Sequence, residues 1–283
     1  MKYILSIVLL HLTLLSAAQN PQPYKIYTSK GKKVSYKKMV KTLAKKDVML
    51  FGEQHNSAIA HWLQLELTKK LNETRTLELG AEMIEADNQD ALDLYLIDSL
   101  SQRGLDTSAR LWPNYRTDYA PLIDFAKANN LKFTGTNIPR RYASMVYHGG
   151  FEELDSLTDI EKTWMAPLPM AFDPNLPTYQ SILKMMGPHG SPLLVMSQAT
   201  KDATMAHFIL KNHTDGNLFL HFNGAFHSDY YEGILWYLQR QSPDLNYATI
   251  STVTQSDIDT LSKEHLGKAD FILVVDEEVT TTY

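Results

Sequence analysis

Two segments of this sequence end an apolar run with a glycine, and each glycine is followed three positions later by a histidine. The first is Gly-Glu-Gln-His at residues 52–55, and the second is Gly-Ala-Phe-His at residues 224–227. A short apolar run predicts a buried strand, and the carboxyl ends of parallel strands gather at one sheet edge, where ligands bind. We therefore expect a parallel sheet that brings His55 and His227 to one site.

The rest of the chain alternates predicted strands and helices. Strands are predicted at residues 48–51, 75–79, 131–136 and 217–222, with closing strands at 247–253 and 271–275. Helices are predicted at residues 35–46, 57–71, 84–100, 116–129, 192–211 and 230–240, and a short hairpin at 24–36. This alternation is typical of an α/β fold with a mainly parallel sheet flanked by helices.

The middle of the chain differs from this pattern. Residues of about 142–190 show no strand pattern and are rich in methionine and proline. We interpret this segment as an inserted helical cap subdomain within one α/β domain at residues 24–283. Methionine-rich surfaces suit ligand or partner contacts, and a plainly packed cap is the alternative interpretation.

The N-terminus predicts a cleaved signal peptide at residues 1–18. Lys2 precedes an apolar stretch, and small residues follow it at 16–18. We therefore expect a secreted or periplasmic protein. The apolar stretch is too short for a transmembrane span, and no other stretch is long enough.

Composition excludes several functional classes. The chain contains no cysteine, which excludes thiolate chemistry and a lipid anchor on cysteine. The formal net charge is -5, and nucleic-acid binding usually needs a clustered basic surface. We expect a small-molecule ligand and no nucleic-acid partner.

Polar residues follow the first predicted strand. Glu53 and His55 are two positions apart, so an extended segment places both side chains on one side. A carboxylate beside an imidazole is both a general acid/base pair and a ligand set for a divalent metal ion. His61, on the next predicted helix, is either part of this cluster or structural.

Two further segments supply acid and imidazole groups. Glu82 is expected just past the second strand, either on the same edge as His55 or at a helix N-terminus, where a negative charge is favoured. His227 follows the fourth strand. Candidate catalytic residues are therefore Glu53, His55, Glu82 and His227, and candidate metal ligands are His55, His227 and Glu53.

Arginines and tyrosines surround the third strand. Arg116, Arg140 and Arg141 are expected near the same edge, where arginine binds carboxylate or phosphate, or forms ion pairs with Glu82 or Asp202. Tyrosines, including Tyr142, Tyr147, Tyr230 and Tyr231, lie close in sequence to these segments, and phenolate and imidazole both ligate haem iron.

The ordered set of these motifs resembles the ChaN-like haem-binding uptake family, a branch of the Tiki/TraB and erythromycin-esterase superfamily. The resemblance covers residues of about 48–234 and rests on short segments at residues 52–55 with 61 and 64, 79–83, 137–141, 198 with 202–206, and 223–227 with 233–234. It implies an α/β fold with a helical subdomain and haem binding connected with iron acquisition, across a homodimer interface. Members are often lipoproteins, and this chain has no cysteine to lipidate.

Two hypotheses follow from the residues and the resemblance. In the first, the protein binds haem between the sheet edge and the methionine-rich segment. Arg140 and Arg141 then hold the propionates, and Tyr142, Tyr147 or His148 ligates the iron. In the second, the protein is a metal-dependent or acid/base hydrolase. The wider superfamily associates paired Gly-x-x-His motifs and a glutamate with metal-dependent hydrolysis, and these match His55, His227 and Glu53, with Glu82 as a further candidate.

Overall fold

The computed structural model describes residues 22–283, so the predicted signal peptide lies outside the described residues. Seven strands are present: β1 (Tyr24–Thr28), β2 (Val48–Glu53), β3 (Leu77–Glu85), β4 (Lys132–Asn137), β5 (Leu218–Gly224), β6 (Tyr247–Gln255) and β7 (Phe271–Asp276). The described part also has ten α-helices: α1 (Tyr36–Leu43), α2 (Ala58–Asn72), α3 (Gln89–Leu96), α4 (Gln102–Ser108), α5 (Ala120–Ala128), α6 (Arg140–Gly149), α7 (Asp159–Lys162), α8 (Pro177–Met186), α9 (Pro192–Asn212) and α10 (Ile234–Gln241).

The strands form one sheet in the order β1-β7-β6-β2-β5-β3-β4. Every neighbouring pair is parallel except β1 with β7. Because β2 pairs in register with β5, Glu53 lies opposite Gly224. The predicted α/β class is confirmed, and the carboxyl ends of β2, β5, β3 and β4 meet at one edge.

Helices cover both faces of the sheet, as the alternation along β2 shows. Met49 and Phe51 pack into one cluster, which includes residues of α1, α2 and α5. Val48 and Leu50 pack into the other, which includes residues of α9 and α10. All four side chains are fully buried, so β2 is apolar on both faces, as expected for a central parallel strand.

The largest departure from the sequence prediction lies in β3. This strand continues to Glu85 instead of ending at residue 79, and its register with β4 shifts between Ala81 and Glu85. Glu82 is therefore inside the strand, and the helix predicted from residue 84 begins at Gln89 as α3. The placement of Glu82 at a helix N-terminus is wrong, because the irregular register extends the strand over the apolar residues that suggested a helix.

Smaller differences lie at other element ends. A π-helical turn over Tyr115–Tyr119 precedes α5, so the regular helix begins later than predicted. The predicted hairpin retains only a single bridge, between Tyr27 and Lys33, because β1 pairs with β7 instead. The described residues 140–190 hold α6, α7 and α8 and no strand. Among residues 22–283, no helix combines the length and the apolar character that crossing a bilayer requires.

Candidate functional site

A cavity of about 710 Å³ lies at the sheet edge where these carboxyl ends meet. Its size is in the usual range for a small-molecule site. Both histidines of the Gly-x-x-His segments line it, together with Glu53, Glu82, Glu85, Trp112, Asn137, Ile138, Arg140, Gln198, Lys201, Gly224, Phe226, Asp229, Thr252, Val253, His265 and Lys268, among others. The expected convergence of His55 and His227 is therefore present.

His55 is oriented by Glu53, which is buried at the end of β2. The Nδ1–H of His55 donates to Oε1 of Glu53 at 2.9 Å, and the same oxygen accepts the Tyr119 hydroxyl at 2.7 Å. The Gln64 amide donates to Oε2 at 2.6 Å. Because Nδ1 carries the donated proton, Nε2 of neutral His55 has a free lone pair, which suits a base.

The pKa of His55 reflects two opposing influences. Burial lowers this pKa, but the hydrogen bond to Glu53 and the negative charge of Glu82 outweigh burial, so the pKa lies above its ordinary value. The Trp112 ring packs edge-on against the imidazole, with 4.9 Å between ring centroids. His55 is therefore held on two sides while it lines the cavity.

His61 lies behind this pair and does not line the cavity. Its Nε2 is 3.0 Å from the backbone oxygen of His55, and its Nδ1 is 3.6 Å from Oε2 of Glu53. Its ring also packs edge-on against that of Tyr119. His61 thus supports the Glu53–His55 pair from the buried side.

A second cluster around His227 joins residues of strands β3 and β5 with residues of helices α8 and α9. The Nδ1 of this histidine is 2.5 Å from Asp202 on α9, and its Nε2 is 3.2 Å from Oε1 of Glu82 on β3. The other oxygen of Glu82 accepts the backbone N–H of Gly224 at 2.7 Å, and the Tyr179 hydroxyl donates to Asp202 at 2.7 Å. Both imidazole nitrogens are thus bound to carboxylates.

This arrangement keeps His227 protonated at neutral pH. Burial lowers the pKa of His227, but the charges of Glu82 and Asp202 raise it more strongly, to about 10. Burial raises the pKa of Glu82, but the imidazolium of His227 brings it far below the ordinary value. His227 is therefore a fixed positive charge, and His55 is the histidine suited to accept a proton.

Gly224 brings the two clusters together. A Cβ atom at this position would lie 2.8 Å from Nε2 of His55 and 3.5 Å from Oε2 of Glu82. Real Cβ atoms essentially never approach so closely, so a side chain here would displace the imidazole. Glycine at this position thus has a geometric reason, which is close approach.

The residues predicted to ligate a metal do not form an available ligand set. Glu53 is occupied by Tyr119, Gln64 and His55, and both nitrogens of His227 are bound to carboxylates. Within residues 22–283, no group of three or more histidine, aspartate or glutamate side chains is arranged to hold a metal ion. These residues therefore do not fit the predicted divalent metal.

The predicted arginines divide between the cavity and the surface. Arg140, at the start of α6, lines the cavity. Arg141 instead binds Asp87 at 2.6 Å and stacks on the Tyr142 ring. Arg116 is paired with Asp106 away from the cavity, so its predicted position at the sheet edge is wrong. The predicted arginine ion pairs with Glu82 or Asp202 are also absent from the described residues, because His227 occupies both carboxylates.

The three predicted iron ligands lie on α6 and do not line the cavity. Tyr142 is buried, and its hydroxyl is bound between Arg141 and Glu161. Tyr147 is 41% exposed, and its ring packs against that of His148 with 5.2 Å between centroids. No residue of the methionine-rich segment at 142–190 lines the cavity. The cavity is therefore not the haem site that was expected between that segment and the sheet edge.

Several residues that hold this site carry no motif or strand-end signal in the sequence, and Asp202 is expected there only as an ion-pair partner of an arginine. From the buried side, Tyr119 binds Glu53, Asp202 binds His227, and Tyr179 binds Asp202. Trp112, Lys201 and Lys268 line the cavity. Asp202 had one detectable signal, because a carboxylate on the apolar stripe of α9 requires a partner. The tyrosines had none, since most buried tyrosines simply pack.

Comparison with known sequences and structures agrees with the family resemblance of the sequence motifs. The sequence model of the family described as haem-binding uptake, Tiki superfamily, ChaN matches residues 39–238. A solved structure described as cofacial haem binding to ChaN of Campylobacter jejuni aligns with a TM-score of 0.68 at 19% identity, covering 89% of this chain and 96% of that chain.

Two other structures share the fold. A Bacillus cereus protein aligns with a TM-score of 0.52 at 12% identity, covering 89% of this chain and 94% of that one. A succinoglycan biosynthesis protein aligns with a TM-score of 0.53 at 13% identity, covering 92% of this chain and 95% of that one. No curated protein sequence matches this chain significantly.

Proposed function

Because this chain belongs to the haem-binding uptake family of the Tiki superfamily that includes ChaN, we propose that it binds haem and serves haem or iron uptake. The observation that carries this proposal is the family match over residues 39–238. The structure described for the Campylobacter jejuni protein concerns cofacial haem binding, which supports the same ligand class here. We place the protein outside the cytoplasm, secreted or periplasmic, on the basis of the signal-peptide pattern at residues 1–18.

The exposed side of α6 offers the groups that a haem requires. Arg140 and Tyr147 are seven positions apart, so they lie on the same side of the helix about 10 Å apart along its axis. Ser144, a small exposed residue, lies between them. We assign a propionate to Arg140, whose neighbour Arg141 is already bound to Asp87. Tyr147 or His148 then ligates the iron.

Haemin titration followed by visible absorbance tests this proposal. We expect a saturable shift of the Soret band, and a changed spectrum in Tyr147→Phe or His148→Gln. Tyr230→Phe is the matched control, because Tyr230 is also exposed, at 43%, but lies outside α6. Unchanged spectra in both α6 variants would refute the assigned ligands, and a featureless linear response would refute haem binding itself.

A second function is favoured by the cavity, which we propose is a hydrolytic site independent of metal. The observation that favours it is the pairing of a free Nε2 on His55 with the fixed charge of His227 across Gly224. His55 takes a proton from water, and Glu53 holds the imidazole in place. His227 is bound through both nitrogens to Glu82 and Asp202, so it holds Glu82, which accepts the Gly224 N–H, in position beside His55. Haem binding alone does not require this arrangement.

Hydrolysis of para-nitrophenyl butyrate tests the second function. The variant His55→Gln should reduce kcat by about a hundredfold or more, since general-base catalysis typically contributes that much. His189→Gln is the matched control, because His189 is exposed in the turn after α8. Turnover in His55→Gln equal to that of the unmodified protein would refute the assignment of His55 as the base.

A further inference from the structure

Two cationic side chains that line the cavity are left unpaired by the protein's own groups among the described residues. Arg140 lies at the start of α6 and Lys201 on α9, and both line the cavity. Within residues 22–283, neither the guanidinium of Arg140 nor the ammonium of Lys201 forms an ion pair or a hydrogen bond; only the backbone N–H of Arg140 is used, by Glu85. Lys268, in contrast, is bound to Asp229 at 2.6 Å.

Asn137 adds an independent observation in the same cavity. It ends β4, lines the cavity and is only 8% exposed. Its buried Oδ1 has no hydrogen-bond partner among the described residues. Buried polar groups are nearly always paired, so the unpaired Oδ1 of Asn137 indicates that a ligand with a hydrogen-bond donor completes the site.

The charges around the cavity limit what that ligand can be. Four carboxylates line it, those of Glu53, Glu82, Glu85 and Asp229. They are matched by Arg140, Lys201, Lys268 and the protonated His227. A dianion would leave the cavity with a large excess of negative charge, whereas a single carboxylate would be tolerated beside two unpaired cations.

We propose that Arg140 and Lys201 form a carboxylate-binding subsite, and that the cavity hydrolyses esters that carry a carboxylate away from the scissile bond. This inference rests on the proposed hydrolytic function and names its substrate class. Arginine and lysine bind the carboxylate through charge-assisted hydrogen bonds. The unpaired Oδ1 of Asn137 accepts a hydrogen bond from a donor group elsewhere on the substrate.

The reaction balances with water as its only co-reactant. Nε2 of His55 takes a proton from water, and the oxygen of that water forms a bond to the ester carbonyl carbon. The bond from that carbon to the leaving oxygen then breaks, and the leaving oxygen takes the proton from Nε2 of His55. The products are an acid and an alcohol, and His55 returns to its neutral form.

Two esters with the same leaving group test the subsite. The probes are mono-para-nitrophenyl glutarate, which carries a carboxylate, and para-nitrophenyl butyrate, which does not. We expect kcat/KM to be at least about tenfold higher for the glutarate ester, since a hydrogen bond to a charged group contributes this much. Lys201→Met should remove most of this preference, so that kcat/KM for the two esters becomes nearly equal.

The matched control is Arg103→Met, because Arg103 is an exposed cation on α4 that does not line the cavity. Equal kcat/KM for the two esters, or a preference that persists in Lys201→Met, would overturn the subsite while leaving the hydrolytic function intact. Lys201→Met should also leave the haemin spectrum unchanged, because Lys201 lies on α9 and takes no part in the proposed haem site on α6.

Calorimetric titration decides the subsite even if neither ester is hydrolysed, a result that would refute the hydrolytic function. Glutarate should bind saturably to the unmodified protein and to His55→Gln, and at least about tenfold more weakly to Lys201→Met. Binding of this kind supports the subsite. No glutarate binding, or tighter binding of inorganic phosphate than of glutarate, would overturn it.

Discussion

Replacing Glu82 with glutamine should destabilise the protein at pH 6 and have little effect near pH 11. Glutamine keeps the size of the side chain and an oxygen that accepts the Gly224 N–H, but it removes the negative charge 3.2 Å from Nε2 of His227. Removing one partner of a buried ion pair typically costs about 3–5 kcal/mol. Asp202 remains as a second carboxylate, so we expect a loss of about 3 kcal/mol at pH 6.

The size and direction of the pH effect follow from the pKa of His227. This pKa is about 10 in the folded protein and about 6.5 in an unfolded chain. The difference corresponds to about 5 kcal/mol of stability, and a charge pair 3.2 Å apart gives about the same value at an effective dielectric constant of about 20. Because the folded pKa is raised, this stability is fully present below pH 6.5 and is lost as pH rises towards 10.

Urea unfolding at several pH values measures this effect. The difference in the free energy of unfolding between the unmodified protein and Glu82→Gln should shrink between pH 6.5 and 10, as His227 loses its proton. Glu78→Gln is the control, since Glu78 is buried in the same strand but binds Thr214 and Asn217 instead of a histidine. A difference for Glu82→Gln that stays constant with pH would refute the charge pairing.

Two further predictions concern the cavity and the haem. Gly224→Ala should lower kcat for para-nitrophenyl butyrate by about a hundredfold, because the added Cβ would displace the His55 imidazole and a small misplacement of a catalytic group costs about this much. Steady-state kinetics measures the change. Full activity in a normally folded variant would contradict the close approach of Gly224 to His55. Haemin should convert the protein to a dimer, because a haem on the exposed side of α6 leaves one porphyrin face for a second copy of the chain to cover. Light scattering measures the mass of the complex. A monomer saturated with haem would refute this prediction.

Much of the fold could be predicted from sequence because its signals are local. The alternation of apolar strands with helices predicted the class. Ser35 and Ser57, the first residues of the helices predicted at 35–46 and 57–71, are the N-caps of α1 and α2. The family was also identified correctly from short ordered motifs. The end of β3 was predicted wrongly, because its extension depends on pairing between Glu85 and Asn137, which are distant in sequence.

The site was predictable where a residue type and a strand end coincided. Glu53 ends β2, His55 and His227 lie just past the ends of β2 and β5, and all three line the cavity. The state of His227 was not predictable, because it depends on Asp202, a residue on α9 that only the tertiary fold brings within 2.5 Å. The two histidines differ for that reason, since Nε2 of His55 is free and both nitrogens of His227 are bound to carboxylates.

The two buried glutamates of β3 have different partners, and only one of them has a role in folding that explains its burial. Glu78 accepts the backbone N–H of Thr214 and thereby satisfies a turn, which is a structural role. Glu82 faces an imidazolium inside a cavity, and apolar residues can often replace such a buried ion pair without loss of stability. Haem bound on the outside of α6 makes no use of this pair. The Glu82–His227 pair is therefore best explained by a second ligand inside the cavity. Arg140 then lies at the boundary between the cavity and the proposed haem site on α6.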